Sequence, residues 1–335
     1  MKLGLIGAGR IGKLHGEIIT YHVPQATIKT VSDVYTDGLE EWAQSLGIEK
    51  VTKDYREILD DSEIEGVIIA SSTDTHADLI IESAKAKKHI FCEKPVDFNV
   101  EKIKEALDTV KQNGIKLQIG FNRRFDHNFS RVRELVDQKK VGDVHIVKIT
   151  SRDPAPPPVE YIKVSGGLFL DMTIHDFDMA RFLSGSEVEE VFAYGTNLVS
   201  DEIAAAGDID TAIINLKFKN GALGVIDNSR EAVYGYDQRV EVFGNKGVVT
   251  VDNDFPNSAV LSSADAVVSE KPQWFFLERY KMSYVDELNE FASALLEDRE
   301  PSVVGNDGLQ PVYIALAAKE SLETGAPVKT SKFMK

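Results

Sequence analysis

The first 120 residues alternate short apolar runs with longer amphipathic stretches, and this alternation constrains the fold more than any other feature of the sequence. The runs KLGLIG, ATIKTVSD, EGVIIA, KHIFCE and IKLQIG predict buried strands bounded by turn residues. Between them, residues 78–88 and 100–114 predict amphipathic helices, the second of which ends at Gly114. Because strands and helices alternate regularly, we expect a doubly wound parallel sheet with helices on both faces over residues 1–120.

Residues 121–335 follow a different pattern. One predicted helix, FDHNFSRVRELVDQKK, precedes alternating strands that follow one another without long helices, including TAIINLKFKNGALGVIDNS and QRVEVFGNKGVVTV. KNG and GNKG within them are hairpin turn signals. We expect an α+β domain with a large, mostly antiparallel open sheet, and two closing helices that pack back onto the body. A length of 335 residues fits two such domains.

The charge balance excludes two classes of partner. Asp and Glu number 54 against 38 Lys and Arg, which gives a net charge of −16, and no Lys/Arg-rich run occurs. Nucleic-acid grooves and anionic membrane surfaces require clustered positive charge, so we expect neither partner. The single cysteine, Cys92, forms no internal disulfide, and no segment reaches the ~20 apolar residues of a membrane span. Since the N-terminus also lacks a secretory pattern, we expect a cytoplasmic protein, and we predict no metal site.

Three glycines follow the first predicted strand, in the segment GLIGAGRIG. Gly7 permits a tight turn, Gly9 lets the backbone approach a pyrophosphate, and Gly12 allows close packing of helix on strand. The helix that begins there would offer the N–H groups and the positive dipole end at Arg10 and Ile11 to the phosphates. The pattern GxGxxG alone also fits a turn without a ligand, and the surrounding sequence decides between the two.

The surrounding sequence favours a dinucleotide site. The glycines follow a strand and open a helix, and Asp33 lies 21 residues after Gly12, at the end of ATIKTVSD. Its carboxylate would accept hydrogen bonds from the ribose hydroxyls, and its charge would repel a 2′-phosphate. Because no arginine follows in DVYTDG, the sequence predicts NAD rather than NADP as the cofactor.

Two further features supply reactive side chains. Glu93-Lys94-Pro95 ends the strand KHIFCE, and a lysine before proline is kept out of helical geometry, which can aim its ammonium into the crevice at the carboxyl edge. A lysine that is merely solvated is the alternative. Asp171 and His175 are four residues apart and would share a helix face, where the imidazole could accept a hydroxyl proton. A helix whose polar residues only pair with each other also fits that spacing.

The segments GLIGAGRIG, CEKP, GFNRRFD, SRDPAPPP and DMTIHDFDMARFL together resemble the Gfo/Idh/MocA oxidoreductase family over essentially the whole chain. Within that family, SRDPAPPP and NSREAVYGYDQR are most similar to the members that oxidise inositol. The resemblance implies that Lys94, Asp171 and His175 form the catalytic set and that the peptide before Pro95 is cis. It also implies a homotetramer assembled through the C-terminal sheet.

The resemblance extends the cofactor site to the ends of the later strands. Many family members have proline after the strand that corresponds to EGVIIA, where this chain has Ser72 in ASSTDTH. Besides the glycine loop and Asp33, the residues assigned to cofactor binding are Ser71, Ser72, Thr73, His76, Glu93 and Lys94.

A cyclitol carries a hydroxyl on every ring carbon, so its site needs many hydrogen-bond partners. Besides Asp171 and His175, the candidates are Asn122, Arg124, Asp153, Tyr234 and Tyr236. An ion pair at a helix start is the alternative role for the arginine, and packing on the sheet is the alternative for the two tyrosines.

The expected reaction is the NAD-dependent oxidation of myo-inositol to 2-keto-myo-inositol (scyllo-inosose). The resemblance implies His175 as the base, Lys94 as hydrogen-bond donor to the same oxygen, and Asp171 as the group that orients substrate or imidazole. A scyllo-inositol dehydrogenase or a glucose-type aldose dehydrogenase of the same family is one alternative. A non-catalytic NAD-binding sensor is another, which loss of one of these three residues would favour, and all three are present.

Overall fold

The computed structural model describes residues 1–334, and the chain divides into two compact units. The first unit comprises Met1–Phe125 and Met282–Gln310, and the second comprises Asp126–Lys281 and residues 311–334. Residues 282–310 therefore belong to the first unit although they follow six of the seven strands of the second unit's large sheet in the sequence.

The first unit contains a six-stranded parallel sheet. Its strands are Lys2–Ile6 (β1), Thr27–Ser32 (β2), Lys50–Thr52 (β3), Gly66–Ile69 (β4), His89–Glu93 (β5) and Leu117–Gly120 (β6). Their order is β3-β2-β1-β4-β5-β6, and every neighbouring pair is parallel. The order reverses between β1 and β4, where a sheet of this kind forms a ligand crevice beyond the carboxyl ends of its strands. The Rossmann-type fold predicted from the sequence is confirmed.

Helices connect these strands. They are Arg10–His22 (α1), Leu39–Ser45 (α2), Arg56–Leu59 (α3), Thr73–Lys85 (α4) and Val100–Asn113 (α5). Helix α5 shows how its ends are specified locally: the Asn99 side chain accepts hydrogen bonds from the backbone N–H groups of Glu101 and Lys102. At the other end Gly114 adopts φ 66°, a left-handed conformation that glycine takes without a steric penalty, so the predicted helix end is confirmed.

The second unit is built on a seven-stranded sheet. The remaining strands of the chain are Val144–Arg152 (β7), Val188–Thr196 (β8), Thr211–Phe218 (β9), Leu223–Ser229 (β10), Asp237–Gly244 (β11), Gly247–Val251 (β12), Val260–Ser262 (β13), Val267–Ser269 (β14) and Val328–Lys329 (β15). The large sheet has the order β12-β11-β7-β10-β9-β8-β15, while β13 and β14 form a separate hairpin. Only β7 and β10 pair in parallel, which confirms the mostly antiparallel sheet.

Alternation along the strands gives this sheet a buried and an exposed face. In β9, residues 212, 214, 216 and 218 are buried, whereas residues 213, 215 and 217 between them are exposed. The later helices are His127–Asp137 (α6), Val159–Ile162 (α7), Gly167–Asp171 (α8), Thr173–Ser184 (α9), Asp201–Ala205 (α10), Phe276–Arg279 (α11), Lys281–Leu296 (α12) and Gly305–Thr324 (α13). Helix α9 packs on β7 and β10 and covers the buried face. Across residues 1–334, no helix combines the length and the apolar character needed to cross a bilayer.

Candidate active site

The glycine loop after β1 has the backbone geometry that the sequence predicted. Gly7 has φ +93°, and a Cβ there would lie 2.5 Å from the backbone nitrogen of Ser71. A Cβ on Gly12 would lie 2.0 Å from the carbonyl oxygen of Gly7, so only glycine permits this approach of helix to loop. At Gly9, by contrast, a Cβ would meet nothing within 4 Å. The glycine loop therefore has no room for a side chain where α1 packs against it, but it has open space at Gly9, where a pyrophosphate would lie.

The N-terminus of α1 suits an anion. Its N-cap residue is Gly9, no side chain caps it, and the first turn contains no acidic residue. The first turn, which includes Arg10 and Ile11, presents the positive end of the helix dipole, which attracts an anion. These features fit the pyrophosphate of a dinucleotide.

Asp33 follows β2, and its carboxylate accepts hydrogen bonds from the backbone of two loop segments. Its Oδ2 accepts a hydrogen bond from the backbone N–H of Ala8 at 2.6 Å, and its Oδ1 accepts one from the N–H of Tyr35 at 2.8 Å. Each carboxylate oxygen can accept a second hydrogen bond, so both oxygens of Asp33 can also bind ribose hydroxyls. The assigned ribose contact itself remains a prediction.

We expect the variant Asp33→Ala to bind NAD about 10- to 100-fold more weakly, because a charge-assisted hydrogen bond of ~1.5–3 kcal/mol is lost. Discrimination against NADP should relax at the same time, since the charge that repels a 2′-phosphate is gone. Dissociation constants for both cofactors test this, with Asp37→Ala, an exposed aspartate four residues on, as the matched control. An unchanged ratio of the two constants would contradict the assigned role.

The segment after β4 provides the next predicted cofactor residues. Ser71 is half-buried, Ser72 is exposed at the N-cap of α4, and Thr73 begins that helix. The buried His76 places Nδ1 2.8 Å from the carbonyl oxygen of Pro95 and Nε2 3.1 Å from that of Ser71. Burial lowers the pKa of His76 despite these two carbonyl oxygens. The imidazole therefore joins the segment after β4 to the turn after β5, and its direct contact with a cofactor stays a prediction.

The turn after β5 presents Lys94 at the carboxyl edge of the sheet, half-buried and joined to Pro95 by a cis peptide, as the resemblance implies. The backbone N–H of Lys94 donates to Glu93 Oε2 at 3.3 Å. Glu93 Oε1 lies 2.6 Å from Nε2 of His15, a buried residue of α1. The pair of His15 and Glu93 therefore links helix α1 to the turn that carries Lys94.

A second carboxyl group lies beside this pair. Glu287 on α12 is fully buried, and one of its carboxyl oxygens, one Glu93 oxygen and a His15 ring nitrogen lie within 4.8 Å of one another. Neither Glu287 oxygen has a hydrogen-bond partner within the described part of the chain. Burial, reinforced by the negative charge of Glu93, raises the pKa of Glu287 well above its ordinary value. Burial therefore favours the protonated, neutral form of the Glu287 carboxyl group.

In the second unit, Asp171 and His175 lie on either side of a helix break. Asp171 ends α8 and His175 lies in the first turn of α9, with Met172 between the two helices at φ −92°, ψ −58°. The N–H of His175 donates to the carbonyl oxygen of Met172, three residues back instead of four. The single helix face expected from the spacing is therefore interrupted, and both side chains are half-buried.

The Asp171 carboxylate is held on both oxygens. Oδ1 accepts a hydrogen bond from the hydroxyl of Tyr161 at 2.8 Å, and Oδ2 accepts one from Nη1 of Arg230 at 3.2 Å. Asp153, from the loop after β7, places its Oδ2 4.0 Å from the same Arg230 nitrogen. Two of the aspartates predicted to serve the substrate thus share one buried guanidinium.

The remaining predicted substrate residues have partners of their own. Asn122 is buried in the first unit and its side-chain amide donates to Oγ of Ser283 at 3.4 Å. Nη2 of Arg124 lies 2.9 Å from Oδ1 of Asp307, which is the ion pair that the sequence left open as an alternative. Neither contact tests whether these side chains also bind substrate, so that role stays a prediction.

The two tyrosines differ in exposure. The hydroxyl of Tyr234, a residue 39% exposed, donates to Asp237 Oδ2 at 2.6 Å and accepts from Arg152 Nη1 at 3.2 Å. Burial alone would raise the pKa of Asp237, but hydrogen bonds, above all from Arg239, hold it below its ordinary value. Tyr236 is buried, with its ring edge-on to another tyrosine. The sheet-packing alternative describes Tyr236 better than Tyr234, and substrate contact remains a prediction for both.

The sequence did not single out Arg230, Tyr161, His15 or Glu287. Arg230 lies inside the segment NSREAVYGYDQR, which carried the resemblance, but nothing in its spacing marks it as buried. Glu287 lies in a helix that contains several acidic residues, and only the fold distinguishes it from its exposed neighbours. Both needed the long-range contacts of the folded chain.

Known proteins match both units. Residues 1–121 match a family model described as an oxidoreductase family with an NAD-binding Rossmann fold, and residues 129–250 match the GFO/IDH/MocA C-terminal domain. The chain is 50% identical over 329 residues to the myo-inositol 2-dehydrogenase of Thermotoga maritima, covering 98% of each protein. It is 44% identical over 322 residues to the inositol 2-dehydrogenase of Rhizobium meliloti, covering 96% of this chain and 97% of that one. The crystal structure of scyllo-inositol dehydrogenase from Lactobacillus casei with bound NAD(H) and scyllo-inositol has a TM-score of 0.92, at 29% identity over 99% of each chain.

Proposed function

Because the chain belongs to the GFO/IDH/MocA oxidoreductase family, we propose that it is an NAD-dependent inositol 2-dehydrogenase. The observation that carries this proposal is the 50% identity to a myo-inositol 2-dehydrogenase over 98% of both chains. The open cradle at Gly9, the uncapped start of α1 and the carboxylate of Asp33 support NAD as its cofactor.

The proposed chemistry divides the work among three side chains. The neutral imidazole of His175 accepts the proton of the reacting hydroxyl. The ammonium of Lys94 hydrogen-bonds the same oxygen and stabilises the negative charge that develops on it, while Asp171 orients the substrate. NAD, when bound, supplies the oxidising nicotinamide ring.

Within this activity we propose myo-inositol as the preferred substrate, oxidised to 2-keto-myo-inositol. The relatives named above include enzymes for myo- and for scyllo-inositol, and the higher identity is to the myo-inositol enzyme. Purified protein offered NAD or NADP with myo-, scyllo- and chiro-inositol and glucose should reduce NAD with the highest kcat/KM for myo-inositol. A higher kcat/KM for scyllo-inositol or glucose would make that compound the preferred substrate instead. NAD binding without turnover of any of them would favour the non-catalytic NAD-binding sensor.

We also propose a homotetramer that assembles through the exposed face of the seven-stranded sheet. The register places Tyr194, Ile213, Leu223, Phe243 and Val248 on that face, each more than 40% exposed, from five of its strands. Charged residues such as Lys148, Asp227 and Glu241 lie between these apolar side chains, and a mixed apolar and charged surface of this kind is typical of a protein–protein interface. The solution mass measured by light scattering should be four times the chain mass of 37.1 kDa.

The proposal includes a cytoplasmic location. Cys92, the one cysteine of the sequence, is buried, and burial raises the pKa of its thiol well above the ordinary value, so it is unreactive. A protein with a reduced, inert thiol and no internal disulfide suits a reducing compartment.

A further inference from the structure

We propose that Arg230 is a positioning residue, whose buried guanidinium fixes the Asp171 carboxylate for the polyol substrate; this rests on the dehydrogenase function proposed above. Arg230 follows β10 and is only 1% exposed, which makes it one of the largest fully buried side chains of the protein. An arginine is seldom so completely buried unless it is paired with carboxylates.

Three carboxylates surround this guanidinium. Nη1 donates to Asp171 Oδ2 at 3.2 Å and lies 4.0 Å from Asp153 Oδ2, while Nη2 lies 3.7 Å from Asp208 Oδ2. The aspartates come from the end of α8, the loop after β7 and the turn before β9, so one side chain joins three separate segments. Without its positive charge, three half-buried carboxylates would face one another unscreened.

Asp171 needs such support because its local backbone provides little. It lies where α8 ends and the chain breaks before α9, and the last torsion of an aspartate side chain has a broad energy minimum. Hydrogen bonds from Tyr161 on one oxygen and Arg230 on the other set that torsion. A carboxylate oxygen can accept more than one hydrogen bond, and a carboxylate fixed in this way meets a substrate hydroxyl in a defined direction.

Asp208 adds a second link between Arg230 and the helix that carries Asp171. Its Oδ1 accepts a hydrogen bond at 3.0 Å from the backbone N–H of Leu168, at the start of α8. The guanidinium therefore braces the beginning of this helix through Asp208 and its end through Asp171. A planar fork spans two carboxylates in this way, whereas a single ammonium cannot.

The test uses Arg230→Gln and Arg230→Lys in the full chain. We expect Arg230→Gln to lower kcat/KM for the polyol about 100-fold, the loss that a small misplacement of a reacting group produces, and Arg230→Lys to lower it less. The NAD dissociation constant should stay within twofold, because Arg230 belongs to the second unit. Arg279→Lys is the matched control: Arg279 is also buried in that unit and paired with Asp126, and its kcat/KM should stay within threefold.

A double-mutant cycle distinguishes positioning from general support of the fold. If Arg230 acts through Asp171, adding Arg230→Gln to Asp171→Asn should cost less than threefold, although it costs about 100-fold alone. Full additivity, or folded Arg230 variants with wild-type kcat/KM, would overturn the proposal. If Arg230→Gln fails to fold, the same cycle with Arg230→Lys tests the proposal. If Arg230→Lys also fails to fold while Arg279→Lys folds, Arg230 serves stability alone and the proposal is overturned. If the wild-type protein oxidises no polyol, the proposed function itself has failed.

Discussion

The variant Lys94→Ala should lower kcat for inositol oxidation by about 10²- to 10⁴-fold, while NAD still binds, with a loss of affinity that is small by comparison. The reason is the place of the side chain: it follows β5 at the carboxyl edge of the parallel sheet, where the cofactor crevice lies, and it is not part of the glycine loop. Its ammonium is expected to bind the reacting oxygen, so its removal affects the transition state more than the ground state.

Single-turnover rates and equilibrium NAD titration measure the two quantities separately. Lys85→Ala, an exposed lysine at the end of α4 in the same unit, should match the wild-type protein in both. Lys94→Met tests the charge while retaining an unbranched stem and should be as impaired as Lys94→Ala. Turnover by either Lys94 variant at the wild-type rate would reject the assigned role.

The variant His175→Gln should lose about 10²- to 10⁴-fold in kcat, because glutamine retains hydrogen bonding but accepts no proton. Loss of the base should also flatten the fall in rate at acidic pH, where an imidazole becomes protonated and stops accepting protons. A pH–rate profile of variant and wild-type protein measures both effects.

The control for His175 is His127→Gln, which changes a histidine whose side chain is 66% exposed at the start of α6 in the same unit. Its kcat and its pH profile should resemble those of the wild-type protein. A His175→Gln variant that keeps the wild-type acid limb would show that another group accepts the proton, and the assignment would fail.

Local rules were sufficient to predict most of the fold from the sequence. Apolar runs of four to six residues gave the long strands of the first sheet, and Gly114 gave the end of α5. The same local rules missed β3, a strand of three residues at the sheet edge, because Lys50–Thr52 is too short to show a strand's alternation of apolar and polar residues. They also placed Asp171 and His175 on one continuous helix, since the break at Met172 depends on backbone hydrogen bonds that spacing does not encode.

Only those residues of the candidate site that belong to recognisable sequence motifs could be predicted. The glycine loop and the strand-end lysine stand out because backbone geometry restricts their residue types. Residues such as Arg230 and His15 carry no local signature, because each is defined by partners far along the chain. Arg230 meets a carboxylate 59 residues before it, and His15 meets one 78 residues after it.

Because the pKa of Glu287 is raised in the folded chain, folding of the first unit is linked to proton binding at this carboxyl group. The unfolded chain releases this proton above the ordinary glutamate value of about 4.5, whereas the folded chain retains it until its own, much higher, pKa is reached. Between these two pKa values, folding is therefore accompanied by uptake of a proton at this position. The contribution of Glu287 to the free energy of unfolding is therefore complete below the lower value and declines as the pH rises through the folded-state pKa, so that alkali rather than acid weakens this part of the core.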